Sequence, residues 1–209
     1  MKLLTEETVF SQKLALIEKM IQVDKRLPDQ VFKDQMLEFI FIDFDEIFSA
    51  KFFDHIKVFL KMIQNKNCYL SVLDPDPRDY FFHYFGKYSF IEFSVDETSM
   101  SYIQILQADP GDSPADAIAI NSTIVAIYSD SADWVIYGDR NMELGIFGCS
   151  NSSLMNDFVS SYMPGRVFDV KNAIEKLVQV SYHSLDTGVP LNIREKLSNN
   201  YKCDLNLKP

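Results

Sequence analysis

Two acids placed four residues apart, Asp139 and Glu143, stand where a loop at the end of a strand can hold a divalent ion on both carboxylates. They lie in Asp133-Trp134-Val135-Ile136-Tyr137-Gly138-Asp139-Arg140-Asn141-Met142-Glu143-Leu144-Gly145-Ile146-Phe147-Gly148, which holds the only Trp of the chain. The same stretch reads as a β-hairpin, because a Gly-Asp-Arg-Asn turn joins two runs of β-forming residues. A second polar group, Asp74, Asp76, Asp79 and His83, offers oxygen and nitrogen ligands. Pro75 and Pro77 break it, and no EF-hand glycine or terminal glutamate stands at the required offset, so it reads as a solvated loop. The histidines, His55, His83 and His183, have no Ser or Cys on a G-x-S-x-G elbow to activate, and glycine-rich phosphate loops are absent. His55 reads as a surface residue of a helix, and His83 as a structural residue within an aromatic strand.

Periodicity places the elements that must carry these residues. Leu14, Ile17 and Ile21 recur at helical spacing and predict an amphipathic helix from Glu6 to Lys25, ending before Pro28. Leu37 to Phe44 reads as a buried strand, and Ser49 caps a helix through Gln64. Cys68 to Leu73 is a second strand, joined to the first by a parallel crossover or an antiparallel return. The Asp74 to Asp79 loop is stiffened by its prolines. Strands over Tyr80 to Phe85 and Tyr88 to Ser94 follow, turning at Gly86-Lys87. A short helix after Asp96 or Thr98 runs to Gln107, and a second opens at Ser113-Pro114 and runs to about Asn121. Thr123 to Tyr128 is a strand leading to the hairpin. There Trp134 and Ile136 point to one side and Val135 and Tyr137 to the other, so both faces are expected to be covered and the hairpin central. Asp169 caps a C-terminal helix ending near Gly188, and the tail beyond Leu197 is expected to be loose. The predicted architecture is one α+β domain over residues 1–209, a mixed, mainly antiparallel sheet covered by helices, with a helical C-terminal segment.

The run Ile40-Phe41-Ile42-Asp43-Phe44-Asp45, taken with Ile136-Tyr137-Gly138-Asp139 and Glu143, resembles the first and last motifs of the haloacid-dehalogenase-like phosphatases. The resemblance implies a magnesium-dependent phosphatase with Asp43 as nucleophile, Asp45 as acid and base, and Asp139 and Glu143 as metal ligands. The chain departs from the family's pattern after the second Asp, where Glu46 and Ile47 replace a Gly followed by Thr or Val.

Composition favours a different class. Of 209 residues 47% are hydrophobic and only 15 are Gly or Pro, as in a globular domain able to build its core without staples. Three distant cysteines, Cys68, Cys149 and Cys203, form neither a disulfide framework nor a zinc knuckle; they suit a reducing cytoplasm, with the first two in the core. The acidic start, Glu6-Glu7, does not suit a signal peptide, and no apolar run reaches the length of a membrane span. A net charge of −10 with dispersed Lys and Arg disfavours nucleic acid and suits a basic protein partner. Phe81, Phe82, Tyr84, Phe85, Tyr88 and Phe90 supply more aromatic area than one strand face can bury, so Tyr84 and Tyr88, with Asp74, Asp76 and Asp79, are the candidate partner-binding residues. In size, acidity and want of a catalytic constellation the chain resembles the small immunity proteins with which bacteria neutralise toxins. The expected function is stoichiometric occlusion of a partner, without cofactor or metal.

Overall fold

Caps and turns set most element boundaries. The structure, a computed structural model, describes residues 1–162, 165–182 and 188–202. Strand β1 (Lys2–Leu4) leads into helix α1 (Glu7–Met20). The helix stops five residues short of Lys25 because Ile21 is extended and bridges Phe32, while the Gln22 amide bonds Val31 O at 2.7 Å. After β2 (Glu38–Asp43), Ser49 opens α2 (Ala50–Met62) by accepting the Phe52 amide, one of the donors a helix start leaves unpaired. Then comes β3 (Asn67–Asp74).

The segment expected to be a strand over Tyr80 to Phe85 is helical. Asp76 accepts hydrogen bonds from the Arg78 and Asp79 amides, both at 2.7 Å, and Pro77 occupies the first helical position, where its missing N–H is no loss. The helix α3 begins as a wide π turn, Pro77–Phe82, runs on as His83–Phe85, and ends at Gly86, whose φ of 62° supplies the left-handed cap. Cap chemistry here overrides the β preference of the aromatic residues. Helical winding sends Phe81 into the core and leaves Phe82, His83 and Tyr84 outside.

The chain continues through β4 (Tyr88–Ser94) and α4 (Ser99–Leu106), which Thr98 caps by accepting the Ser101 amide. Only one 3-10 turn, Pro114–Asp116, forms where a helix to Asn121 is expected. Then follow β5 (Ile124–Tyr128), β6 (Trp134–Asp139) and β7 (Leu144–Cys149), with a 3-10 turn, Arg140–Met142, between the last two. Asn151 caps α5 (Ser152–Ser161), and Asp169 caps α6, which runs as Val170–Ala173, Ile174–Val178 and Gln179–Ser181. Helix α7 (Leu191–Asn200) is the last among the described residues.

Six antiparallel pairings join the strands in the order β1-β4-β3-β5-β6-β7-β2. Strands β2 and β3 run in the same direction but do not pair; β5, β6 and β7 lie between them, and α2 carries the chain across one face. That face packs on α2, α4 and α5, and the other on α1, α6 and α7. Strand β6 is interior, as expected: Trp134 and Ile136 lie in one cluster, Val135 and Tyr137 in the other, all fully buried. Gly148 permits a close approach, since a Cβ there would sit 2.5 Å from Phe32 Cε1. Cys68 and Cys149 are buried, and Cys203 lies outside the described residues. No helix among the described residues is long and apolar enough to cross a membrane.

The chain just beyond Leu197 is docked, against expectation, although residues 203–209 lie outside the described residues. Tyr201 is fully buried; its hydroxyl accepts the Val31 amide at 3.0 Å and donates to Asp29 O, and the rings of Phe32 and Phe39 meet it edge-on. Only the folded chain brings the 21–36 loop beneath this residue. Tyr201→Phe should lower stability by about 1–3 kcal/mol, because the Val31 amide stays buried without its acceptor. A urea midpoint equal to that of the parent chain would show that the hydroxyl contributes nothing.

Candidate functional site

Register gathers carboxylates at one end of the sheet. Asp74 pairs with Ile124, Ile124 with Asp139, Asp139 with Leu144 and Leu144 with Asp43. Paired residues share a face, so three acids line up on the α1 side at the ends of β3, β6 and β2, with an apolar residue between each two. A bulge between Val72 and Asp74 brings Asp74 into this row. Asp139 and Asp43 lie two strand spacings apart, roughly 9–10 Å.

Asp139 is the most deeply buried of the three, at 3% exposure. Its Oδ1 accepts the Asn141 amide at 3.0 Å and so caps the hairpin turn. Burial pushes its carboxyl up to about 6, although the Asn141 and Met142 amides and the Arg26 guanidinium favour the charged form; Asp74 adds to the upward shift.

The other acids of the two motifs meet at the neighbouring corner. The Asp45 amide donates to Asp43 Oδ1 at 2.9 Å, a local bond that closes β2 into the 3-10 turn Asp45–Phe48. Glu143 holds a left-handed conformation, φ 55°, after the hairpin turn. Its carboxyl is shifted upward by burial first and then by Asp45 and Asp43, with Arg140 opposing. Arg140 is pinned by Ser122 O at 2.7 Å and Ala119 O at 3.0 Å, lies over the Phe44 ring, and stands 3.9 Å from Asp45. The Phe44 amide bonds Glu143 O at 3.3 Å, which sets Glu143 beside the Asp43–Asp45 turn, while Asp139 is engaged with its own turn. Among the described residues no three His, Cys, Asp or Glu side chains are grouped so as to hold a metal ion.

A different surface forms on α3. Tyr84 is 67% exposed, and its ring packs beside those of Tyr80, at 5.2 Å, and His83, at 5.0 Å; Phe82 is also exposed. Exposed Asp76 and Asp79 flank its first turn. On the far side Tyr80 donates to Asp116 at 2.6 Å, Lys87 reaches Pro110 O, and Phe85 lies against Gly111, which brings exposed Asp109 and Asp112 alongside. Tyr88 does not join this surface. It is 1% exposed, stacked between Phe10 and Phe82, and its hydroxyl donates to Glu7. Asp74 also stands apart, at the strand end beside Asp139. The Asp76-Pro77 start was a readable helix signal, of the same kind as Ser113-Pro114. Nothing in the sequence indicates that the 109–116 segment lies beside α3.

Two further features escape sequence reasoning. His55 is half-buried rather than on the surface: its Nδ1 lies 2.9 Å from Ser161 O and its ring stacks on Tyr162, near Glu46, whose Oε2 is buried without a hydrogen-bond partner. A cavity of about 210 Å³ opens between α1 and the start of α3, with apolar walls from Phe10, Leu14, Val23, Leu73 and Pro77. Comparison of the chain with protein-family models, with curated proteins and with solved structures gives no match.

Proposed function

We propose that this protein is a binding module that takes a basic protein partner on the outer face of α3 and occludes it stoichiometrically, in the manner of a toxin-immunity protein. The observation that carries the reading is the exposed aromatic group of Phe82, His83 and Tyr84 flanked by the carboxylates of Asp76, Asp79, Asp109 and Asp112. Exposed Tyr supplies contact area at small entropic cost, and an acidic rim speeds and orients the approach of a cation-rich surface. The chain's net charge of −10 acts in the same sense over longer range. The phosphatase alternative needs Asp139 and Glu143 on one ion, and the register and the hairpin cap favour a structural role for Asp139 instead.

A photo-crosslinking side chain in place of Tyr84 tests the proposal, with the same group in place of Leu37, 65% exposed near β2, as the comparison. The expected result in cells of the native host is one discrete adduct from position 84, to a protein of net positive charge, and none from position 37. Raising salt from about 0.1 to about 1 M, which shortens the screening length from about 10 to about 3 Å, should weaken the purified complex, and Tyr84→Ala should cost about 2 kcal/mol or more of binding. No adduct at position 84, or the same adducts from both positions, would refute the assignment.

A further inference from the structure

We infer that the cavity between α1 and the start of α3 binds a free α-amino acid with an apolar side chain. Its cation is Arg26. Nη1 of this residue donates to Val23 O at 2.8 Å and Lys25 O at 3.0 Å, which holds the guanidinium by that nitrogen. The Nε and Nη2 edge has no acceptor among the described residues, and Arg26 forms no ion pair among them, although its charge acts on Asp139 from beyond ion-pair distance. A guanidinium held by one nitrogen, with Nε and Nη2 unpaired, on a residue that lines a cavity, offers the fork that grips a carboxylate through two parallel hydrogen bonds. Arg78, the other cation of the lining, is already engaged: it bonds Glu7 at 2.8 Å and Ser11 Oγ at 3.0 Å, and lies over the Phe10 ring, so it serves as wall.

Two anions also line the cavity. Asp76 Oδ1 is taken by the amides that open α3, whereas exposed Glu18 has no ion pair or hydrogen bond among the described residues. One open cation and one open anion suit a zwitterion better than a simple acid. The apolar walls then select the side chain: Leu14, Val23 and Leu73 offer aliphatic contact and Phe10 an aromatic surface. The volume, about 210 Å³, falls below the range of about 300–1,000 Å³ typical of pockets for larger ligands. It matches a leucine-sized to phenylalanine-sized amino acid.

Calorimetric titration of the full chain with L-leucine, L-methionine and L-phenylalanine tests the assignment. At least one is expected to bind with 1:1 stoichiometry. Glycine, which fills none of the apolar space, should bind at least about tenfold more weakly, as should 4-methylpentanoate, without the ammonium, and 3-methylbutylamine, without the carboxylate. Arg26→Met should weaken binding about tenfold or more and Glu18→Gln several-fold. Glu18 is exposed, so the melting temperature of Glu18→Gln without ligand should match the parent; Arg26→Met also loses the bonds to Val23 O and Lys25 O, so circular dichroism should show this variant folded at the titration temperature. No binding by any of the three amino acids up to about 10 mM, equal affinity for the amine lacking a carboxylate, or an Arg26→Met variant that binds like the parent would each overturn the proposal. Tyr84 does not line the cavity, so these outcomes are separate from the crosslinking result.

Discussion

Trp134→Ala is expected to lower stability by about 3–5 kcal/mol, a large part of what holds a domain of this size folded. The indole is fully buried in an interior strand, meeting Phe59 edge-on at 5.2 Å and Phe147 stacked at 6.0 Å. Helix α2 above and the sheet below cannot both close over the space it leaves, so the cavity persists. Trp134→Phe separates packing from hydrogen bonding. The Nε1–H is buried without a partner, and its removal offsets part of the lost contact, so this variant should cost less than about 1.5 kcal/mol. Urea unfolding followed by circular dichroism serves all three chains, since both variants lose the only Trp. Equal losses in the two variants would show that the ring's packing is not what the strand depends on.

Asp139→Asn should alter how stability depends on pH. The folded carboxyl, at about 6, lies above the ordinary 3.8, so between about pH 4 and 6 the folded chain holds more protons than the unfolded one. Stability therefore falls as pH rises through that window. Above it the ionised, buried carboxylate costs up to roughly 3 kcal/mol, from a shift of about two units. Asn keeps an Oδ1 acceptor for the Asn141 amide and carries no charge. The variant is expected to be about 1–3 kcal/mol more stable than the parent at pH 8, nearly equal at pH 4, and without this part of the decline between them. Asp139→Ala, which also loses the cap, should recover less. Unfolding curves at pH 4, 6 and 8 measure this directly; an Asn variant that declines as steeply as the parent would place the pH dependence in other groups, Glu46 or Glu143 among them.

Legibility followed the range of the forces involved. Ser49, Thr98, Asn151 and Asp169 cap helices through bonds to amides three residues on, and three of these, all but Asn151, were readable as caps from local spacing. The hairpin was readable because its turn and flanking runs are contiguous. The α3 segment reads as a strand because its aromatic residues favour one by composition, while the Asp76-Pro77 step that starts the helix lies within a proline-rich, loop-like stretch. Tyr88, expected among the partner-binding residues because its neighbours are aromatic, is covered by Phe10 from near the start of the chain.

The acids show the division most plainly. The amino-acid order alone determined the α+β class, the central hairpin and the acidic balance, because helix and strand periods and net charge are properties of neighbouring residues and of sums. Which carboxylates lie near one another was decided by register across β2, β7 and β6. Glu143 came to lie beside the Asp43–Asp45 turn, and Asp139 was held apart behind Leu144, since a strand pair aligns residues whose sequence separation carries no information about their contact. The acidic face of α3 and the Arg26 cavity arose in the same way, from segments distant in the chain, Tyr80 with Asp116 in one and Phe10 with Arg78 in the other, that the packed helices and sheet bring together.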